Sequence, residues 1–207
     1  MPEPIPTRRP VPDELFGGRL RGAYLLDLEV VAAERIAPHV RSITVASSDL
    51  VGFAYTPGQD LMIAFPDAGA AVRRRYTVRR ADGAAGTADL EFELHAGGGA
   101  AARWAAAARV GEHLDGIGPR GTIGTHPGAD HHLFVADDSA MPAAFAMIEA
   151  LGPGSRATAV LVTAHGAESR PGPASTVPST LTWVDEHEVT DVLAGLDLAT
   201  SKLAAHV

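Results

Sequence analysis

The segment Arg74-Arg75-Tyr76-Thr77-Val78-Arg79 packs guanidinium, phenol and hydroxyl groups into six consecutive residues. In an extended chain, alternation puts Arg74, Tyr76 and Val78 on one face and Arg75, Thr77 and Arg79 on the other, unless a bulge or strand end re-aims them. A guanidinium fork grips a diphosphate bidentately, an aromatic ring lies against a planar heterocycle, and a hydroxyl or amide bonds a ring nitrogen. Those are the contacts a flavin dinucleotide needs. A solvated basic strand with one half-buried Tyr is the plainer reading of the same residues.

A second constellation follows at His95-Ala96-Gly97-Gly98-Gly99-Ala100-Ala101-Ala102-Arg103-Trp104, which reads as a strand end, a glycine loop and a helix start. Such a junction aims unpaired backbone amides and the positive end of a helix at one spot, a ready site for an anion. It has neither the spacing nor the Lys of a Walker A loop, and a glycine loop also serves simply to turn the chain. His126, Asp130, His131 and His132 fit no helical or finger spacing for a metal, so a solvated loop between domains is expected there and no metal site. Ser139 has no Gly-x-Ser-x-Gly elbow around it and is not read as a nucleophile.

The elements that must position these groups change character along the chain. Residues 1–22 are rich in Pro and Gly and read as an extended arm. Short β-type segments follow at 24–31, 40–45, 61–65, 75–78 and 90–95, the last alternating strictly with Leu90, Phe92 and Leu94 on one face. Ala100 to Ala108 reads as one short helix, and Gly111 to Gly121 as extended chain. Short strands at this spacing predict a closed or nearly closed antiparallel barrel over residues 23–125. Beyond a Gly/His/Pro linker near 124–130, the strand at 133–136, the helix at 142–151 and the strand at 157–163 make a parallel α/β unit within residues 131–207. A short strand around 181–184 and a helical stretch after Glu186 complete the pattern. A two-domain β plus α/β layout of this kind leaves a cleft suited to a cofactor.

Taken in order, Arg74-x-Tyr76-Thr77-x-Arg79, His95 leading into Gly99-x-Ala101-x-x-Trp104-Ala105, Gly118-Pro119-Arg120-Gly121 and Asp137-Asp138-Ser139-Ala140-Met141-Pro142 resemble the motifs of the siderophore-interacting protein family. These are FAD-dependent ferric-siderophore reductases of the ferredoxin-NADP reductase superfamily, and the resemblance runs from about Leu25 to Leu151. It implies a six-stranded FAD-binding barrel followed by a parallel nicotinamide-binding domain. It also implies that Arg74 holds FAD phosphate, that Tyr76 lies against the isoalloxazine and that Thr77 bonds near the flavin N5, as the residue of the chemical step. Val78, Arg79 and the amides of Gly97, Gly98, Gly99, Ala100, Ala101 and Ala102 would complete the dinucleotide cradle, with His95 at its edge. Trp104 falls within the motif, although its size also suits a core anchor. Asp137, Ser139 and Ala140 belong to the entrance of the nicotinamide domain, where the family's Glu, Thr and Leu are replaced by Asp138, Ser139 and Met141. The activity implied is hydride transfer from NADH or NADPH to FAD, followed by reduction of a ferric siderophore and release of Fe(II). A flavin-binding module without turnover is the alternative.

After residue 151 the resemblance loosens. Where the family tends to place acidic residues, the chain reads Val162-Thr163-Ala164-His165-Gly166-Ala167-Glu168, and the family's further strand and Trp/Gly/Glu motif are not found. The parallel domain is therefore expected to be incomplete. Composition narrows the rest. With 46% hydrophobic and 20% charged residues the 207-residue chain is globular, and with no cysteine it can hold no disulfide, thiolate metal site or iron–sulfur cluster, so redox chemistry must be borrowed from a cofactor. Residues 126–207 carry ten acids against Arg156, Arg170 and Lys202, which disfavours a nucleic-acid partner. No transmembrane run or signal peptide is visible, so a cytoplasmic monomer acting on a small-molecule substrate is expected.

Overall fold

The computed structural model describes residues 9–10, 24–166, 170–198 and 202–206. Of the N-terminal arm only β1 (Arg9–Pro10) is among them, paired antiparallel with Tyr24 and Leu25. The remainder of residues 1–22, and Ala167 and Glu168, lie outside the described residues.

One antiparallel sheet takes up β1, β2 (Tyr24–Ala37), β3 (Val40–Ala46), β4 (Asp60–Asp67), β5 (Ala70–Thr77), β6 (Arg80–Asp82), β7 (Thr87–Glu93) and β8 (His113–Arg120). Its strand order is β5-β4-β8-β2-β3-β7-β6, with β1 beside β2. Every second residue of β7 is buried, so Ala88, Leu90 and Phe92 face a core with Leu28, Ile43, Val45, Leu61, Ile63 and Phe65. Register shifts in β2, between Val30 and Ala32 and between Arg35 and Ala37, bend the long strand around that core. The curl is drawn together at Val78-Arg79. The Val78 amide still donates to the Gln59 carbonyl before β4, while the Arg79 amide donates to the Asp89 carbonyl of β7, so two residues carry the chain from one end of the sheet to the other. That switch is why the strand read at 75–78 is followed by a separate β6, and why the barrel path has seven strands where six were expected.

α1 (Ala100–Ala107) lies against this core through Ala101 and Ala105. Its last carbonyls are held by Arg41 of β3, which donates to Ala105, Ala106 and Ala108 at 2.7–2.9 Å. A cation at that end complements the helix dipole.

The second sheet is wholly parallel, in the order β11-β10-β9-β12. It comprises β9 (His131–Asp137), β10 (Arg156–Val162), β11 (Ser179–Val184) and β12 (Leu203–His206), with α2 (Met141–Glu149) and α3 (Val189–Gly195) as its helices. Two departures from expectation occur here. The segment after α3 adds β12 beside β9, a four-residue strand without a single β-branched side chain. His131 and His132 are not in a solvated loop: both are in β9 and are 3% and 2% exposed. His131 Nε2 meets Thr158 Oγ1 at 2.9 Å, and His132 stacks with Phe134 and His206, so each imidazole finds a partner inside the sheet.

The two sheets are joined by buried ion pairs. Arg79 forks onto Glu149 of α2, with both N–O distances 2.6 Å, and Arg170 pairs with Glu91 of β7. Both guanidinium carbons lie 5.6–5.7 Å from the centroid of Phe145 on α2, a cation–π arrangement.

Candidate functional site

A cavity of about 310 Å³ opens where β5, β7, the start of α1 and the end of β9 converge. Its walls include Arg74, Arg75, Tyr76 and Thr77 of β5, then His95, Gly99, Ala101 and Ala102 of the glycine junction, and Asp138 and Ser139 after β9. The two constellations separated by some twenty residues in the chain thus face one hollow.

Within β5 the side chains divide by their partners. Arg75 Nε donates to Asp60 Oδ2 at 3.0 Å, and this bond and charge raise the Arg75 pKa above its ordinary value. Arg74 is exposed and, among the described residues, bonds locally to the Arg73 carbonyl at 2.8 Å. Tyr76 is half-buried, its ring 4.1 Å from Phe92 and edge-on to Phe65, and burial pushes its hydroxyl up to about 12. The phenol therefore stays neutral.

The glycine junction is built for close approach. Gly97 has φ +80, which suits a residue without a Cβ. At Gly98 a Cβ would fall 2.7 Å from the Ala102 Cβ, so the turn packs directly on the helix it precedes. The Gly98 carbonyl accepts from Arg103 Nη1 at 2.8 Å. Gly99 caps α1 with no side-chain acceptor, and the first turn contains no acid, so the leading amides of the helix have no anionic partner of their own. A Cβ at Gly99 would meet no atom within 4 Å, which means it would project into open space beside a wall of the cavity.

After β9, Ser139 lines the cavity while Asp137 and Ala140 stand behind it: Ser139 Oγ donates to Asp137 Oδ1 at 2.7 Å, and the Ala140 amide donates to the same oxygen at 2.9 Å. This turn lies at the carboxyl end of a parallel strand, where open α/β sheets receive ligands.

Several residues assigned to the cradle stand elsewhere. Arg79 is not on the cavity: its fork is taken by Glu149, its Nε lies 3.4 Å from Glu91 Oε1, and it is 5% exposed. Val78 is fully buried in the barrel core, and Trp104 packs on Phe65 and Phe92. Ala100 is buried, and neither Gly97 nor Gly98 lines the hollow. Conversely, Glu91, Glu93 and Arg170 do line it and were not singled out in the sequence. The polar face of a strictly alternating strand could have flagged the two acids. Nothing local flags Arg170, which reaches Glu91 from nearly eighty residues away. Burial, and then the charge of Arg79, lowers the Arg170 pKa to about 10.

Do these residues fit a flavin dinucleotide? The exposed Arg74 fork and uncapped helix amides are donors suited to a pyrophosphate, Gly99 leaves its volume open, and Tyr76 and Thr77 are adjacent in the same wall. The donor set fits.

A curled antiparallel sheet followed by a parallel α/β sheet, with the cavity between them, defines the ferredoxin-NADP reductase type of two-domain fold. The ferredoxin-NADP+ reductase of Plasmodium falciparum superposes with a TM-score of 0.66 over 89% of this chain and 86% of that one, at 9% identity. The siderophore utilization protein from T. fusca superposes with a TM-score of 0.77 at 27% identity, covering 87% of this chain and 79% of its own. Residues 58–123 match the siderophore-interacting FAD-binding domain and residues 129–206 the siderophore-interacting protein family. The chain belongs to the siderophore-interacting family and carries its FAD-binding domain. The ferric vibriobactin reductase ViuB of Vibrio cholerae is 28% identical over 142 residues, 59% of this chain and 52% of ViuB. The chain spans 52–56% of the length of the curated relatives it matches. No helix among the described residues is long and apolar enough to cross a membrane.

Proposed function

We propose that this protein is a flavin-dependent reductase of ferric siderophores with NADH or NADPH as electron donor. The observation that carries the reading is the shared cavity: the Arg74–Thr77 wall and the uncapped start of α1 face one hollow, and the carboxyl end of β9 opens onto it. When bound, FAD supplies hydride acceptance from a nicotinamide and one-electron donation to ferric iron.

The chain's own residues do the placing. Arg74 and the leading amides of α1 would hold the FAD pyrophosphate. Tyr76, backed by Phe92 and Phe65, would present an aromatic face to the flavin heterocycle. The Thr77 hydroxyl, in the same wall, would hydrogen-bond the edge of the flavin ring. The Asp137–Ser139–Ala140 turn, whose Ser139 lines the cavity, would help hold the nicotinamide nucleotide. Ferric iron enters as substrate in a hard-oxygen chelate, and reduction to the softer Fe(II) loosens it.

The test is a visible spectrum of the purified chain with added FAD. Flavin absorption that bleaches under NADH or NADPH and recovers on adding a ferric chelate is the expected result. Bound flavin that neither nucleotide bleaches would reduce the protein to a flavin-binding module, and failure to take up FAD would end both readings.

A further inference from the structure

Three loops from the two sheets converge on a point beside the cavity. His39 occupies the turn between β2 and β3, Asp138 follows β9, and His165 follows β10. His39 is 6% exposed, and its Nε2 lies 3.6 Å from Asp138 Oδ1. Both atoms are sealed from solvent, and among the described residues neither has a hydrogen-bond partner, only each other as an ion pair at a distance too long for a hydrogen bond. The His39 and His165 rings are stacked with centroids 3.7 Å apart and planes 19° from parallel. One ligand atom from each of the three residues falls within 4.8 Å of the others.

Leaving two buried polar atoms unsatisfied costs free energy that a packed structure normally avoids. Here one cation would satisfy both. Two ligand atoms each about 2.1 Å from a tetrahedral ion stand about 3.4 Å apart. The His39–Asp138 separation already matches, whereas His165 completes the set only when its ring turns out of the stack with His39, a movement its exposed position leaves room for. Two imidazole nitrogens and one carboxylate oxygen suit a divalent first-row transition ion and not Mg²⁺ or Ca²⁺, which take oxygen ligands. The neighbouring cation, Arg170, donates to the Asp138 carbonyl at 3.4 Å and its charge is felt at His39, but its guanidinium is paired with Glu91, which offsets part of that charge.

We propose that His39, Asp138 and His165 form a binding site for a divalent first-row transition ion at the rim of the flavin cavity. Because Asp138 also lines that cavity, the site stands where ferrous iron would leave a reduced chelate. Ferrous iron as the resident ion rests on the reductase reading; the metal site does not.

The test is a titration of Co(II), and anaerobically of Fe(II), onto the full chain without flavin or reductant, followed by d–d absorption for Co(II) and calorimetry for both. One ion per chain is expected, with affinity reduced at least tenfold in His165→Ala and in Asp138→Asn. His113→Asn, which alters an exposed imidazole bonded to Asp27, should bind as the parent does. His165 is exposed, so its removal leaves the fold and the His39–Asp138 pair in place, and thermal melts check this. Equal affinity in parent and His165→Ala, or no binding in either, overturns the site. Because no flavin turnover is read, a failure of the reductase assay does not imitate a failure here. Co(II) binding without Fe(II) binding would overturn the ferrous assignment.

Discussion

Arg74 and Arg75 are neighbours with opposite occupations. Arg75 is spent on Asp60 of the adjacent strand, whereas Arg74 stands exposed at the cavity wall with, among the described residues, a local backbone bond alone. A guanidinium that is solvated until a ligand arrives loses little in forming charge-assisted bonds. Arg74→Ala should therefore weaken FAD binding by about 1.5–3 kcal/mol while leaving stability almost unchanged. Fluorescence titration of apoprotein with FAD measures it, and equal affinity in mutant and parent would refute the role. Arg79 shows where a motif's position and a side chain's partners part company. The family resemblance implied that it completes the dinucleotide cradle, but it is buried, paired with Glu149 and Glu91, and off the cavity wall.

At the scale of elements, the junction before α1 needs two properties at once: a chain tight enough to pack Gly98 against Ala102, and an N-cap that leaves the helix amides uncovered. Gly99 meets the second need by absence. Its φ of −66 and ψ of −175 are open to any residue, and a Cβ there meets nothing, so Gly99→Val should fold normally and fill the space beside the amides. We expect at least a tenfold loss of FAD affinity, with stability lowered by no more than about 1 kcal/mol from the poorer cap. Unchanged FAD affinity would separate this helix end from the cofactor. The junction was legible in the sequence because a glycine run ahead of an alanine-rich helix is a local signal. The β12 strand was not, since Leu203 to His206 is extended only because β9 offers it a free edge.

For the whole molecule, the relation of the two sheets depends on Arg79–Glu149 and Arg170–Glu91. Burial by itself would raise the Glu149 carboxyl, but bonds from Arg79, the Ala174 amide and Arg80, with the charge of Arg79, outweigh it and hold the group at about 2 against an ordinary 4.5. In the pH window between those values the unfolded chain binds the proton and the folded chain does not, so this stabilisation is complete above about 4.5 and disappears as pH falls toward 2. Glu149→Gln should cost about 3 kcal/mol at neutral pH by leaving Arg79 partly uncompensated. The gap between parent and variant, followed by thermal melts, should narrow steadily through that window. A gap independent of pH would show that Glu149 acts by packing and not by charge.

The composition without cysteine, the ordered motifs at 74–79, 95–105 and 137–142, and the change from antiparallel to parallel patterning were all written locally, in side-chain type and period. They determined the family, the fold class and half of the cavity wall. Which arginines are free to meet a ligand was settled only by folding, because that depends on acids far away in the chain: Asp60 for Arg75, Glu149 for Arg79, Glu91 for Arg170. So too with the histidines. His131 and His132 looked like a solvated pair until the strand buried them, and His39 and His165, 126 positions apart, become neighbours only when two sheets bring their loop ends to one place.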